Sequence, residues 1–448
     1  MKKSYLFAML FVVALSHAQQ HFSGINTSSH TSIVNGTMNP AEYPNIATTY
    51  SINVLGLSVN ASSNKVGFSD LLNGNDIENL IFQGSDAANF RIDGELLLPG
   101  VTYKMDKWAF ALTTKAYAKM DLVDIDVHIG DAIANSGVNS IVGSTVISNN
   151  YNQRVSGTTW GEVALSAART VYEDDTNRFN GGLSLKILFP GSYANFGADR
   201  FHGTINNTLG NGTLTNTQAN LNIAYSGNLG EDFTDFSDYT SSLFGRLGGF
   251  AADIGINYQM KDAEPGKYKV NAGLAVRNLG SMTFKSANNS STNYQLTIQG
   301  AESLDLNQFQ DVTSLEEVEQ ILLNSGYLDK TDNSKTDFKV RLPAVFSAYA
   351  DVKIIPSLYA TIYTQQKMRK NDENDQIGTE NVISLTPRYV AQNLEVFVPL
   401  ASNEISGFSA GVGFRAYGFY IGSPSIISAL LSDSKQADVF IGYSFGLQ

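Results

Sequence analysis

From Trp108 onward the chain repeats one pattern, an alternation of apolar and polar side chains with a period of two. Trp108, Phe110, Leu112, Thr114, Ala116, Ala118 and Met120 alternate with Lys107, Lys115, Tyr117, Lys119 and Asp121. Successive side chains of a strand point to opposite faces, so this stretch has one apolar face and one polar face. The alternation returns around Leu183–Phe189, Leu221–Tyr225, Ile254–Met260, Tyr268–Val276, Phe338–Val352, Leu394–Leu400 and Val412–Ala416. An earlier extended segment, Ala47–Asn60, changes phase from Tyr50, Ile52 and Val54 to Leu55, Leu57 and Val59. A β-bulge near Gly56 accounts for that change. The last stretch, Asp438–Gln448, sets Val439, Ile441, Tyr443, Phe445 and Leu447 against Phe440, Gly442, Ser444, Gly446 and Gln448.

Several of these runs exceed the strands usual in soluble proteins and approach the length that crosses a membrane with tilt. A soluble sandwich also alternates, but its solvent face carries more Lys and Glu than Gly, Ser and Asn. The pattern therefore predicts an all-β fold, a closed antiparallel transmembrane β-barrel of about 14 strands. Its apolar strand faces are expected to meet lipid and its small or polar faces the interior. The terminal strand is expected to close against the first, and Phe445→Asp, at mid-membrane depth, to cost several kcal/mol or to block assembly.

Between the strands the pattern breaks in three places. Residues 19–46 carry Asn39-Pro40-Ala41 and Tyr43-Pro44, prolines that interrupt helix and central strand alike. They predict an irregular leader, either a disordered tail or a plug folded into a lumen, ahead of a barrel over 47–448. A short helix is predicted at Asp76–Phe82. A second is predicted in the long connection Gln299–Asp337, where Thr313 or Ser314 caps it with Glu316 or Glu317 as box partner. There Leu315, Val318, Ile321 and Leu322 share one face and Asn324–Gly326 ends the helix. Lys115, Lys119, Arg277, Lys339 and Arg341 are expected to face the lumen and to be paired with acids or wet.

Met1-Lys2-Lys3, the apolar run Tyr5–Leu15 and Ser16-His17-Ala18 read as a secretory signal cleaved after residue 18. The run is too short for a membrane-anchor helix. The whole chain carries a formal charge of −12. Such acidity argues against a nucleic-acid partner, which needs a basic face. There are no cysteines, which excludes disulfides, thiolate metal sites, cysteine nucleophiles and lipidation at a new terminal cysteine. Charged residues make up 16% of the chain, below the roughly 25% of a soluble domain. With 21 tyrosines, 25 phenylalanines and 39 glycines, the composition suits a transmembrane barrel.

Candidate chemistry is sparse, and no catalytic residue, metal site or cofactor is expected. His128 has Asp126 and Asp131 nearby, a pairing common by chance along an extended chain. His128 and His202 are read as isolated in loops. Gly407-Phe408-Ser409-Ala410-Gly411 matches G-x-S-x-G, but the alternation continuing through Val412, Phe414 and Ala416 makes Ser409 a strand residue rather than a nucleophile on a strand-to-helix turn. Asn371–Asp375 and Glu231–Asp235 are acidic loops without EF-hand spacing, read as solvated tips.

Asn39-Pro40-Ala41, placed just before the first long strand, resembles the N-P-A plug motif of the FadL-like outer-membrane barrels, which include PorV-like members. Ala272-Gly273-Leu274-Ala275-Val276-Arg277-Asn278-Leu279-Gly280 resembles the G-x-x-x-x-N/D-L/I-G segment of Bacteroidetes members of that group. Phe338–Pro343, with Leu342 and Pro343, is similar to the strand that follows, and Gly418–Ser423 fits the approach to the last strand. Together these resemble an uncharacterised Bacteroidetes domain-of-unknown-function family of such barrels. The resemblance implies a plugged barrel in the Gram-negative outer membrane and no enzyme. It implies either passage of small hydrophobic or amphipathic molecules or, as in PorV-like barrels, docking of secretion or surface proteins. It also implies lipid and the barrel-assembly machinery as partners, with Tyr443, Phe445 and Leu447 as a terminal recognition signal. The motif positions themselves are expected to be architectural, fixing a plug and two turns.

Overall fold

The computed structural model describes residues 21–28, 30, 32–134, 143–208, 211–231, 244–264, 266–285, 289–432 and 434–448. The predicted export signal lies outside them. A 3-10 turn (Ile25–Thr27), α1 (Ile33–Met38) and a second 3-10 turn (Pro40–Asn45) precede β1 (Tyr50–Ser63). α2 (Phe68–Asn73) and α3 (Ile77–Ile81) lead to β2 (Ala88–Leu97), β3 (Gly100–Met105) and β4 (Trp108–Ile125). Then come α4 (Val127–Ala134), β5 (Gly143–Ser148), β6 (Asn152–Glu173), β7 (Asn177–Thr208), β8 (Asn211–Ser226) and α5 (Asn228–Glu231). β9 (Gly249–Lys261), β10 (Tyr268–Lys285), β11 (Ser290–Ile298) and β12 (Leu304–Asp305) precede a 3-10 turn (Leu306–Phe309), α6 (Leu315–Asn324) and β13 (Leu328–Lys330). The remainder is β14 (Asp337–Arg341), β15 (Val345–Ile355), β16 (Leu358–Lys367), β17 (Val382–Val390), β18 (Leu394–Phe397) and β19 (Leu400–Asn403). Last come β20 (Gly407–Ala410), β21 (Val412–Ala416), β22 (Phe419–Ser423), α7 (Ile426–Ser432) and β23 (Gln436–Leu447).

Antiparallel pairing joins these strands into a closed ring of 14 wall strands. Its order is β1, β2/β3, β4, β6, β7, β9, β10, β14/β15, β16, β17, β18/β19, β20/β21, β22 and β23, which returns to β1. Closure is direct, with Tyr50 opposite Leu447 and Ser62 opposite Gln436. Four wall strands are made of two segments, and three of those breaks carry a proline: Pro99, Pro343 and Pro399. Proline cannot donate to a ladder, so it collects where pairing is interrupted. The phase change in the first strand is a bulge between Asn53 and Leu55, two residues from the expected site.

The ring is inverted relative to a soluble fold. Leu57, Phe110, Leu165, Leu185, Ile256, Leu274, Leu385 and Ile441 are exposed, whereas Asn53, Lys115, Lys119, Asp121, Glu162, Asn257, Asp351 and Glu395 are buried. Each set holds to its own side of the alternation. Closing the sheet lets the wall strands pair on both edges outside the breaks, so a lipid-facing apolar band becomes compatible with a hydrogen-bonded backbone. Tight turns at 106–107, 174–176, 356–357 and 417–418 share one rim with Tyr50 and Leu447. The opposite rim carries the long connections.

β7, 32 residues long, outgrows the wall. Up to Leu188 it pairs with β9, and from Tyr193 onward with β8. β8 then pairs with β11, and β11 with β13, while β5 lies along the upper edge of β7. This sheet stands beyond the ring with its own core, in which Phe201, Ile205, Leu221, Ile223, Tyr294 and Leu296 meet Leu315 and Leu322 of α6. Leu221, Ile223 and Tyr225 therefore do not cross the membrane, a correction to the strand expected there. Their alternation is that of a sheet covered on one face by helices. β14 is corrected likewise. Phe338, Val340 and Leu342 are buried, while Lys339 and Arg341 are exposed, because the phase flips at Pro343 before Phe346 turns outward in β15.

α3 matches its predicted position, with Asp76 as the cap. α6 does too: Ser314 Oγ accepts from Glu317 N at 3.1 Å, and Glu317 Oε2 accepts from Thr313 N at 3.2 Å. Ser314→Ala is expected to weaken α6 by about 1 kcal/mol. The check is faster amide exchange confined to residues 314–319 with the wall unchanged.

Candidate functional site

The segment 21–46 touches the wall almost all the way round. Its polar groups reach β1, β2, β7, β9, β10, β15, β17 and β18, a set of strands accessible together only from within the ring. It is not irregular throughout. The turn Ile25–Thr27, α1 and the turn Pro40–Asn45 give it three short helical pieces, with Pro40 at the start of the last where its missing N–H is harmless. Phe22, Ile25, Ile33, Val34, Tyr43 and Ile46 pack with the inward Leu97, Phe397, Tyr420 and Phe440.

Asn39-Pro40-Ala41 sits in a notch cut by glycines. A Cβ on Gly182 would collide with the Pro40 and Ala41 backbone, one on Gly255 with Asn39 Oδ1, and one on Gly273 with Asn39 Nδ2 and Tyr349 Oη. Gly182 and Gly255 are direct cross-strand partners, so the notch spans adjacent strands. Asn39 Oδ1 accepts from Ala41 N at 3.0 Å, and its Nδ2 donates to Ile256 O at 3.0 Å and Tyr349 Oη at 3.2 Å. Just beyond, the buried Glu42 carboxylate accepts from Asn45 (2.7 Å), Asn271 (2.9 Å), Asn257 (3.0 Å) and Tyr349. Gly255→Val is expected to dislodge this segment. Limited proteolysis should then cleave within 33–46, while Gly181→Ala, whose added Cβ meets only Val171 at 3.9 Å, stays resistant.

Four buried ionic clusters fix the remaining inner surface, one of them Arg91 with Asp121 and Glu380 (3.2 Å). Arg388 Nη2 lies 2.8 Å from Asp351, and its Nη1 lies 3.3 Å from Glu395 and donates to Thr27 O. Ser28 Oγ and His30 Nδ1 reach the same Glu395 at 2.5 and 3.1 Å. His21 Nε2 pairs with Asp93 at 2.9 Å beside the ion pairs Lys119–Asp93 and Lys115–Glu95. Lys186 meets Asp253 at 2.9 Å, Glu162 at 3.5 Å and Asn278 Oδ1 at 2.7 Å. Lys115 and Lys119 are thus paired as expected, whereas Arg277 bonds the neutral Gln365 (2.6 Å) and Tyr363 (3.3 Å).

The turn 368–381, which contains the acidic stretch Asn371–Asp375, folds across the long-connection mouth to reach β6 and β2. Arg154, 1% exposed, donates to the carbonyls of Asn371 (2.7 Å), Glu373 (3.1 Å) and Gln376 (2.6 Å) and to Asn195 Oδ1 (2.8 Å). That stretch is a folded lid rather than a solvated tip. Burial raises the Asp375 carboxyl above its ordinary pKa although Lys335, Arg154 and Arg341 oppose the shift. Between lid and N-terminal segment lies a chamber of about 90 Å³, lined by Phe22, Met38, Lys186, Arg277, Trp160 and Thr379 among others. Tyr117 and Trp160 stack at 4.4 Å on its wall.

Asn278 occupies a bulge in β10 with a left-handed φ of 59°, not a turn. Its N donates to Asp253 at 2.7 Å and its Nδ2 to Pro343 O at 3.3 Å, which ties the bulge to the break after Leu342. Leu279 faces outward, and Gly280 packs on the backbone of Phe250 and Ala251. Tyr443 and Leu447 are exposed, and Phe445 is half-buried beside Tyr443. Ser409 is a buried residue of β20. His128 opens α4 beside Asp126, and His202 lies in β7 bonded to Ser148 at 3.1 Å, so neither is the loop residue expected. Among the described residues no group of three or more His, Asp or Glu converges as metal ligands. Asp232–Asp235 lie outside the described residues. Sequence reasoning missed Glu42, Arg154 and Arg388, because no local motif marks any of them.

Solved structures similar to this chain include the toluene transporter TbuX of Ralstonia pickettii, 12% identical with a TM-score of 0.41 over 93% of this chain and 94% of that one. The toluene transporter TodX of Pseudomonas putida is 9% identical with a TM-score of 0.36, covering 94% and 95%. The translocator domain of the autotransporter NalP from Neisseria meningitidis is 8% identical with a TM-score of 0.31, covering 92% and 93%. No curated protein matches the chain. The family model described as "Family of unknown function (DUF5723)" matches residues 40–423, from the glycine notch to the end of β22, and the chain belongs to that family.

Proposed function

We propose that the chain is an outer-membrane channel for small hydrophobic or amphipathic molecules, with residues 1–18 as a cleaved export signal and residues 19–46 as a plug. The observation that carries this reading is the chamber held between two separate closures. At about 90 Å³ it is smaller than the roughly 150 Å³ cavity that admits benzene. Passage therefore requires the lid, the plug or the wall to move. The wall has a weak place for a sideways exit. β22 ends at Ser423, and its ladder with β23 runs from Phe419 opposite Tyr443 to Gly422 opposite Phe440, above which Asp438 accepts from Ser423 Oγ at 2.9 Å and Ser425 N at 3.0 Å. α7 fills the opening, and Ser428 Oγ accepts from Ala410 N at 2.7 Å.

Flux of a small aromatic solute into liposomes tests the reading. Deleting residues 19–46, or Arg154→Ala to release the lid, is expected to raise the rate at least tenfold. Negligible flux in wild type and in both variants would overturn it. A second reading, a docking barrel for secretion or surface proteins, is favoured by the sheet beyond the ring, whose independent core suits a platform. Affinity capture in native detergent that recovers only the monomer counts against that reading.

A further inference from the structure

The rim of long connections carries an apolar surface that neither the wall nor the lumen uses. α2 and α7 are neighbours there. Phe68 N donates to Ser434 O at 2.7 Å, and Ser63 N donates to Lys435 O at 3.0 Å, tying the start of α2 to the connection after α7. Leu72 is 71% exposed, Leu430 74% and Leu431 80%, with Leu71 beside them at 39%. Single exposed leucines are ordinary, but four on two helices tied together at one rim call for an apolar neighbour.

We propose that α2 and α7 rest on the outer leaflet, with Leu71, Leu72, Leu430 and Leu431 seated where headgroups meet acyl chains. This rests on the barrel spanning the outer membrane, not on what passes through it. Two observations favour lipid as the occupant. The patch continues the lipid-facing band, since the outward Val59 of β1, Val439 of β23 and Phe408 of β20 lead up to it. Its height also fits. β1 has 14 residues, and at about 3.3 Å each with the usual tilt it climbs about 35 Å. That exceeds an apolar band of about 25 Å and reaches the interfacial layer.

The charges nearby suit this placement. Lys65 and Lys435 stand at the strand ends beneath the helices, where long stems lie along apolar surface and the ammonium groups reach lipid phosphates. One donor of Lys435 is used on Asn64 O at 2.8 Å, and an ammonium has three. Asp70 is turned into its own helix, accepting from Gly67 N at 2.9 Å and Asn75 Nδ2 at 2.8 Å.

The chain has no cysteine, so single nitroxide labels can be placed on the full protein. Leu72→Cys and Leu431→Cys would be compared in phosphatidylethanolamine/phosphatidylglycerol vesicles with Val439→Cys on the lipid-facing wall and Glu316→Cys on α6. The expected result is an oxygen-to-nickel-chelate accessibility ratio within twofold of the Val439 label and at least fivefold above the Glu316 label. A ratio like that of Glu316 would mean the leucines face water and would overturn the proposal. Shielding from both reagents, which would mean that a second copy or another protein covers them, would overturn it equally. If either variant does not fold, Leu71→Cys and Leu430→Cys take its place. Quenching of a bimane label at the same cysteines by brominated lipid is the second measurement.

Discussion

Replacing Arg388 with alanine is expected to destabilise the folded barrel by about 3–5 kcal/mol. The guanidinium is buried among Asp351, Glu395 and the carbonyl of Thr27, and neither carboxylate has another arginine or lysine within ion-pair distance among the described residues. Removing the cation leaves two charges in a low-dielectric interior, which costs far more than the pair contributes when intact. Lysine should recover only part of the loss, because a single ammonium cannot hold the fork of contacts that Arg388 makes. The triple variant Arg388→Met, Asp351→Asn, Glu395→Gln should recover most of it. Urea unfolding from vesicles is the measurement, and a loss below about 1 kcal/mol for Arg388→Ala would contradict the argument. The same variant should loosen residues 24–30, since Arg388 joins the wall to that segment.

Ile441→Arg is the second large effect, with an expected cost of about 2–4 kcal/mol. Ile441 faces outward opposite Leu57 and Ile421, six residues from Leu447 and thus about 15 Å above the tight-turn rim once tilt is included. Phe445 pairs with Ile52 close to that rim, so Phe445→Asp belongs near the interface and should cost at most about 1 kcal/mol. This revises the larger cost expected of Phe445 from sequence, where only its face and not its depth is visible. Heat-modifiable mobility and urea titration of the two variants side by side give the comparison. Equal losses would mean that depth does not govern the cost and that the apolar face is not lipid-facing.

The wall was legible because its signal is local and repeated. A period of two in Trp108–Met120 or Ile254–Met260 needs no tertiary knowledge, and the inverted burial follows once small polar residues are seen to fill the other face. β8 was misread because the same period describes any sheet with one apolar face. What covers that face, here α6 and its neighbours, depends on a chain reversal about ninety residues later. β14 was misread because Pro343 flips the phase, and proline signals a break without saying which side keeps its register. The N-P-A notch was half visible. Asn39 and Pro40 announce a turn, but the glycines that receive it come from β7, β9 and β10 and converge only through pairing. Arg154 and Arg388 carry no local signal at all. Each is a single arginine with no motif around it. The lid carbonyls that Arg154 holds lie more than two hundred positions away, and Arg388 ties the carboxylates of nearby strands to the leader.

The enclosure of residues 21–46 sets the order in which the molecule can be built. The segment is made first, but the ring that surrounds it closes only when β1 meets β23, the first strand against the last. That junction brings together the most distant parts of the wall, with the largest loop-closure entropy of any pairing in the ring. Because the segment bonds strands from both ends of the chain, β1 and β2 as well as β17 and β18, it is expected to be inside before the seam is made. Folding should therefore end in a single late step, with the notch of Gly182 and Gly255 already filled when the cylinder seals. Variants that keep the segment out should accumulate as open sheets with a free terminal strand rather than as empty, finished barrels.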